Sequence, residues 1–243
     1  ISNDIYNRER PTIGLAKNDA VVLTDDVGLN PALESFKGLY DDGSLAILNS
    51  VGYPNPDRSH FRSMDIWHSA SNSNEYINTG WIGRYLDAQC NGCEKPTQAL
   101  EIDDVLSLAL KGNEISGLAF KDPRRLYNSS NERFYKEISA AHHATEETVD
   151  YLYKTMSQTI NSADYIFEQS KRHPSSATYP GTELGRNLKT ISTLIQSDIN
   201  TKVYYVSLGS FDTHVNQEGQ QKRLFTELND AVKAFTADLK KNN

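Results

Sequence analysis

A mainly parallel α/β fold, its central sheet flanked by helices, is what this sequence predicts. Three observations carry that reading. Two short, mostly apolar runs, Leu45-Ala46-Ile47-Leu48-Asn49-Ser50-Val51 and Val203-Tyr204-Tyr205-Val206-Ser207-Leu208, are bounded by turn residues, as strands buried on both faces are. Long stretches of helical periodicity separate such runs. The 243 residues, 37% hydrophobic and 23% charged, suit a folded globular chain.

The elements follow in order. Residues 1–26 are polar and turn-rich around the short apolar run Ala20-Val21-Val22-Leu23. Asn30 as cap and Pro31 in the first turn open a helix striped by Leu33, Phe36, Leu39 and Tyr40, which Asp42-Gly43 ends. The 45–51 run reads as a buried parallel strand. Pro54-Asn55-Pro56 forces a loop, and helices are expected over about 59–69 and 81–87. Residues 102–110 are mixed, and 115–120 read as a further strand. Residues 131–172 form a polar helical insertion with a thin apolar stripe at Leu152, Met156, Ile160 and Ile166-Phe167. Thr182 caps a helix over 183–197. Residues 203–208 are the clearest strand, ended by Gly209, and a last helix runs over about 219–240. The whole is expected to be one α/β domain spanning 1–243, with the 131–172 insertion inside it.

A net charge of −7 argues against a general nucleic-acid binder. No apolar run approaches the roughly 20 residues of a membrane helix, so the chain is expected not to span one. Cys90 and Cys93 supply only half of a tetrahedral zinc site; a local disulfide and a redox pair are the readings left open. Walker A, Rossmann glycine and GxSxG signatures are absent.

Two polar clusters fall after predicted strands, where open α/β sheets bind ligands. The first is Arg58-Ser59-His60-Phe61-Arg62-Ser63. A serine at a helix start meets backbone N–H groups that favour anions. Ser59 therefore reads as a nucleophile or as a plain cap. His60 reads as a base or metal ligand, and Arg58 and Arg62 as clamps for a phosphate or sulfate, or as surface arginines. The second cluster is Phe211-Asp212-Thr213-His214. Asp212 and His214 offer oxygen and nitrogen donors that suit zinc or similar ions, or they cap a turn and lie exposed. His142-His143 reads as a solvated helix face. His68 is read as packing locally beside Trp67.

Four stretches together resemble a widespread bacterial family of exported proteins of unknown function, often preceded by twin-arginine signals. They are Tyr6-Asn7-Arg8-Glu9-Arg10-Pro11-Thr12-Ile13, Gly52-Tyr53-Pro54-Asn55-Pro56-Asp57-Arg58-Ser59-His60-Phe61, Thr79-Gly80-Trp81-Ile82-Gly83-Arg84-Tyr85-Leu86, and Tyr179-Pro180-Gly181-Thr182-Glu183-Leu184-Gly185-Arg186 leading to Phe211-Asp212-Thr213-His214. That family is similar to the alkaline phosphatase and sulfatase superfamily. The resemblance implies an alkaline-phosphatase-like fold and hydrolysis of phosphate or sulfate esters, on small molecules or polymers. It implies a divalent metal such as zinc, calcium or manganese, and a periplasmic or extracellular location. Ser59 matches the attacking residue, and Asp212 with His214 a ligand pair. The family's flanking segments, a glycine-rich one with Asp before and Ser-Glu-Phe-Gly-Arg and Asp-His-Gly ones after, have no counterpart here. The resemblance thus implies a domain incomplete at both ends, with further metal ligands outside it and little activity on its own. The alternative expectation is a non-enzymatic exported binding or surface-assembly protein, with the 131–172 insertion as its interaction element.

Overall fold

A computed structural model of the chain describes residues 4–89, 96–140 and 147–242. Its elements run α1 (Asp4–Glu9), β1 (Val21–Val22), β2 (Gly28–Leu29), α2 (Glu34–Asp41), α3 (His60–Ser69), α4 (Trp81–Gln89), β3 (Ala99–Glu101), β4 (Leu118–Ala119), α5 (Pro123–Ser130), α6 (Arg133–Ala140), α7 (Glu147–Ser170), α8 (Glu183–Gln196), β5 (Val203–Tyr205) and α9 (Gln217–Asn242). Contacts divide the chain into two compact units, one of residues 1–50, 176–189 and 207–243, the other of 51–175 and 190–206. The one-domain expectation does not distinguish them. Cys90, Cys93, His142 and His143 lie outside the described residues.

The unit built on 51–175 holds a three-stranded parallel sheet in the order β4-β3-β5. Leu100 of the central strand faces Leu118 on one side and Tyr204 on the other. All three residues of β3 are buried, as a central parallel strand covered on both faces requires. Ile82 and Leu86 of α4 pack with Ala99, Ala109 and Leu110, and Val203 and Tyr205 of β5 close over that cluster. Each buried leucine or isoleucine among them stabilises by about 2 kcal/mol through loss of water contact. α4 sits so close to the 108–112 segment that only glycine fits twice. A Cβ on Gly80 would lie 2.0 Å from the Leu108 carbonyl oxygen, and one on Gly83 would lie 2.2 Å from the Lys111 carbonyl carbon. Asp87 then accepts backbone N–H bonds from Asn113 at 2.7 Å, Glu114 at 3.2 Å and Ile115 at 2.8 Å. The Thr79–Leu86 stretch is thus accounted for by packing. α7 runs along α5 and α6, and Tyr127 stacks on Phe167 with centroids 4.4 Å apart; within the expected 131–172 insertion the described residues are helical over Arg133–Ala140 and Glu147–Ser170.

In the other unit, β1 and β2 form a short antiparallel hairpin. Asn30 caps the following 3-10 turn, accepting from Ala32 N at 3.0 Å, with Pro31 first in that turn. α2 packs on α9; the Ser35 hydroxyl and backbone N–H both donate to Asn229 Oδ1, at 2.6 and 2.9 Å. Tyr179 donates to buried Asp238 of α9 at 2.8 Å.

One expected strand is absent. Residues 45–51 are irregular, with Leu48 77% and Val51 60% exposed. An apolar run becomes a strand only when another strand takes its N–H and C=O groups. Among the described residues no strand pairs with it, so the predicted buried strand is corrected to exposed irregular chain. The 203–208 strand is real but shorter, ending at Tyr205.

Candidate functional site

The loop before α3 is tied down by its own polar groups. The Asp57 N–H donates to the Tyr53 hydroxyl at 3.3 Å, and that hydroxyl lies 2.8 Å from Ser63 Oγ. Ser63 Oγ in turn donates to the Asp57 carbonyl at 2.8 Å. The Asp57 carboxylate accepts from Ser59 N at 2.7 Å. Ser59 is left at the N-cap of α3 in extended conformation, its Oγ accepting from Arg62 N at 3.4 Å. That bond is long for a cap. Ser59 is exposed, as are Arg58 beside it and His60, the first helical residue.

Arg62 takes a different place from the surface clamp expected of it. It is 9% exposed, and its Nη2 donates to the carbonyls of Ser73 at 3.1 Å, Asn72 at 3.5 Å and Glu75. The guanidinium also lies 3.9 Å over the Tyr76 ring. This arginine holds the 72–76 loop against α3, because a planar fork of donors suits several carbonyls at once. Ser59, His60 and Arg58 remain together at the exposed helix start.

Asp212 and His214 belong to the other unit, in the loop 207–216 before α9. His214 Nδ1 lies 3.0 Å from Asp212 Oδ1, with side chains 76% and 57% exposed. The loop is fastened by Phe211 against Phe225, centroids 5.8 Å apart, and by Gln220 Nε2 donating to the Val215 carbonyl at 2.6 Å. The pair offers a carboxylate and an imidazole, two donors in all. Zinc takes four ligands in structural sites and three protein ligands in catalytic ones. Among the described residues no group of three or more His, Cys, Asp or Glu is placed to hold a metal. Among the described residues the donor set does not complete a metal site.

Both loops contain non-glycine residues in left-handed backbone conformation: Ser50 at φ 59° and Asn55 at φ 53° before Ser59, and Ser210 at φ 70° before Asp212. Such residues cost on the order of 1 kcal/mol and gather where function sets loop shape.

A further polar cluster went unnoticed in the sequence. Glu101, 1% exposed at the end of β3, accepts from Ser107 Oγ at 2.5 Å and Ser107 N at 2.6 Å. At the end of the adjacent β5, the Tyr205 hydroxyl lies 3.3 Å from His68 Nε2, the rings edge to face at 6.2 Å. Burial holds the His68 imidazole below its ordinary pKa, against the opposing charges of Glu101 and Asp65. Burial, then Glu101, raises the Tyr205 phenol. The signal that could have found it is a charged residue inside the apolar run Ala99-Leu100-Glu101-Ile102. Such a carboxylate must find donors when the strand is buried. No helix among the described residues is long and apolar enough to cross a membrane. Comparison with models of protein families, with curated proteins and with solved structures finds nothing that matches this chain.

Proposed function

We propose that the chain belongs to a metal-dependent hydrolase of phosphate or sulfate esters, alkaline-phosphatase-like in fold and active in the full-length form that the resemblance implies. The observation that carries this reading is Ser59. It is an exposed, loosely capped hydroxyl at the N terminus of α3, held by the Tyr53–Asp57–Ser63 network with Arg58 alongside. In this reading Ser59 Oγ attacks the phosphorus or sulfur. The ester bond breaks, the alcohol departs with a proton, and water then cleaves the seryl ester to restore the hydroxyl. The helix N–H groups and Arg58 balance charge on the transferring group. His60 serves as proton acceptor. Asp212 and His214, which belong to the other unit, are candidate ligands for a divalent metal in their own right. Left-handed Ser50, Asn55 and Ser210 support a functional rather than incidental shape for both loops. Ser59→Ala should abolish turnover of p-nitrophenyl phosphate or sulfate by full-length protein with zinc, manganese or calcium, leaving the circular dichroism spectrum unchanged. Undiminished turnover in that variant removes Ser59 from the mechanism.

A second reading, an exported binding protein without chemistry, is favoured by one observation. Phe61, 88% exposed, Met64 and Trp67 are apolar and solvent-facing on α3. Clustered exposed apolar side chains mark interaction surfaces. Consistent inactivity across the ester panel, with Phe61→Ser abolishing association with a partner, would select it.

A further inference from the structure

Residues 6–13 carry part of the family resemblance but take no part in the proposed chemistry. They contribute to the wall of a cleft of about 530 Å³ in the unit that contains α1, α2 and α9. That volume falls in the range of small-molecule sites, roughly 300–1,000 Å³. The wall has a defined construction. Gly14 N donates to the Arg10 carbonyl at 2.9 Å, and Leu15 N to the Tyr6 hydroxyl at 2.8 Å. A Cβ on Gly14 would lie 2.6 Å from the Arg10 carbonyl oxygen, so this turn admits glycine alone without shifting.

Four charged side chains line the cleft: Arg10 and Lys222, Asp19 and Glu218. Among the described residues none of the four closes an ion pair. All four are exposed, and Glu218 and Lys222 stand i, i+4 on α9 in the favourable order, within reach of each other. Elsewhere that spacing does close, in Lys37–Asp41 at 2.9 Å and Arg133–Glu137 at 2.6 Å. Ile13 and Leu15 add apolar surface to the same wall. Two open cations, two open anions and an apolar wall in one cleft match a ligand that carries both charges on an apolar body.

We infer that this cleft binds a small zwitterion, an apolar amino acid or dipeptide, with its carboxylate at Arg10 and Lys222 and its ammonium at Asp19 and Glu218. The site does not depend on Ser59 or on ester hydrolysis. The test is titration calorimetry of the chain with glycyl-leucine. Expected is saturable binding with a Kd of about 1 mM or tighter. Expected too is weakening of about tenfold or more in Arg10→Gln and in Asp19→Asn, and for the dipeptide blocked at both ends. Circular dichroism of each variant should match the parent; should Arg10→Gln misfold, Lys222→Gln takes its place. No saturable heat, equal affinity for the blocked dipeptide, or variants that fold and bind as the parent does would overturn the assignment.

Discussion

The loop ending at Ser59 and the loop carrying Asp212 and His214 both present chemistry-bearing side chains to solvent, but they are held in different ways. Ser59 is fixed by a closed circuit of hydrogen bonds through Tyr53, Asp57 and Ser63, and buried Arg62 secures the helix behind it. Asp212 and His214 lie within bonding distance of each other, and their loop meets α9 through the Phe211–Phe225 ring contact and through Gln220, whose side chain and backbone N–H donate to Val215 and Asn216. The first region is preorganised, as positioning for a reaction requires. The second suits donors that take final geometry from whatever they bind.

Breaking the support of the first region should have the largest effect. Arg62→Ala removes the guanidinium that bridges the Asn72, Ser73 and Glu75 carbonyls and opens a void under Tyr76. A loss of about 3 kcal/mol is expected from the unmade bonds to a buried charged group. Urea unfolding of the variant measures it; a loss under about 1 kcal/mol would mean that the loop is not held by Arg62.

A smaller, pH-dependent effect is expected at His68, whose neighbours are Tyr205 on β5, Glu101 on β3 and Asp65 on its own helix. Its folded pKa is lowered, chiefly by burial, from the ordinary 6.5. The fold therefore favours the neutral ring. Above pH 6.5 neither state binds the proton and stability is full. As pH falls from 6.5 through the lower folded value, the unfolded chain takes up the proton first and stability declines. His68→Asn should flatten that decline between pH 7 and 5. An unchanged slope in the variant would place the acid sensitivity elsewhere.

The smallest effect belongs to the second region. Asp212→Ala and His214→Ala should change unfolding stability by no more than about 0.5 kcal/mol, because their mutual bond is solvent-screened. Losses above about 1.5 kcal/mol would show that the pair is structural, and the contrast with the Ser59 loop would fail.

What could be read from the sequence was local. Asn30 before Pro31, Ser59 before α3 and Thr182 before α8 each mark a helix start by side-chain chemistry. A parallel sheet was expected from apolar runs between helices, and the 115–120 and 203–208 runs hold β4 and β5; its central strand, β3 at Ala99–Glu101, was not read from the sequence. Long-range placement was not legible. Leu45 to Val51 has the composition of a buried strand and lacks the partner that would make it one. Arg62 has the look of a surface clamp, and only the fold brings the 72–76 loop onto it. Glu101 with Ser107, His68 and Tyr205 come from three separate segments that meet only in three dimensions. The division into two units, with Ser59 in one and Asp212 in the other, left no composition shift or linker to read.

The central claim is that Ser59 is a nucleophile and not merely a cap. Rapid acid quench of full-length protein with a phosphate ester, followed by peptide mass spectrometry, tests it directly. One phosphoryl group on Ser59, absent from Ser59→Ala, is the result predicted. Steady ester turnover with Ser59 unmodified at every quench time would contradict it.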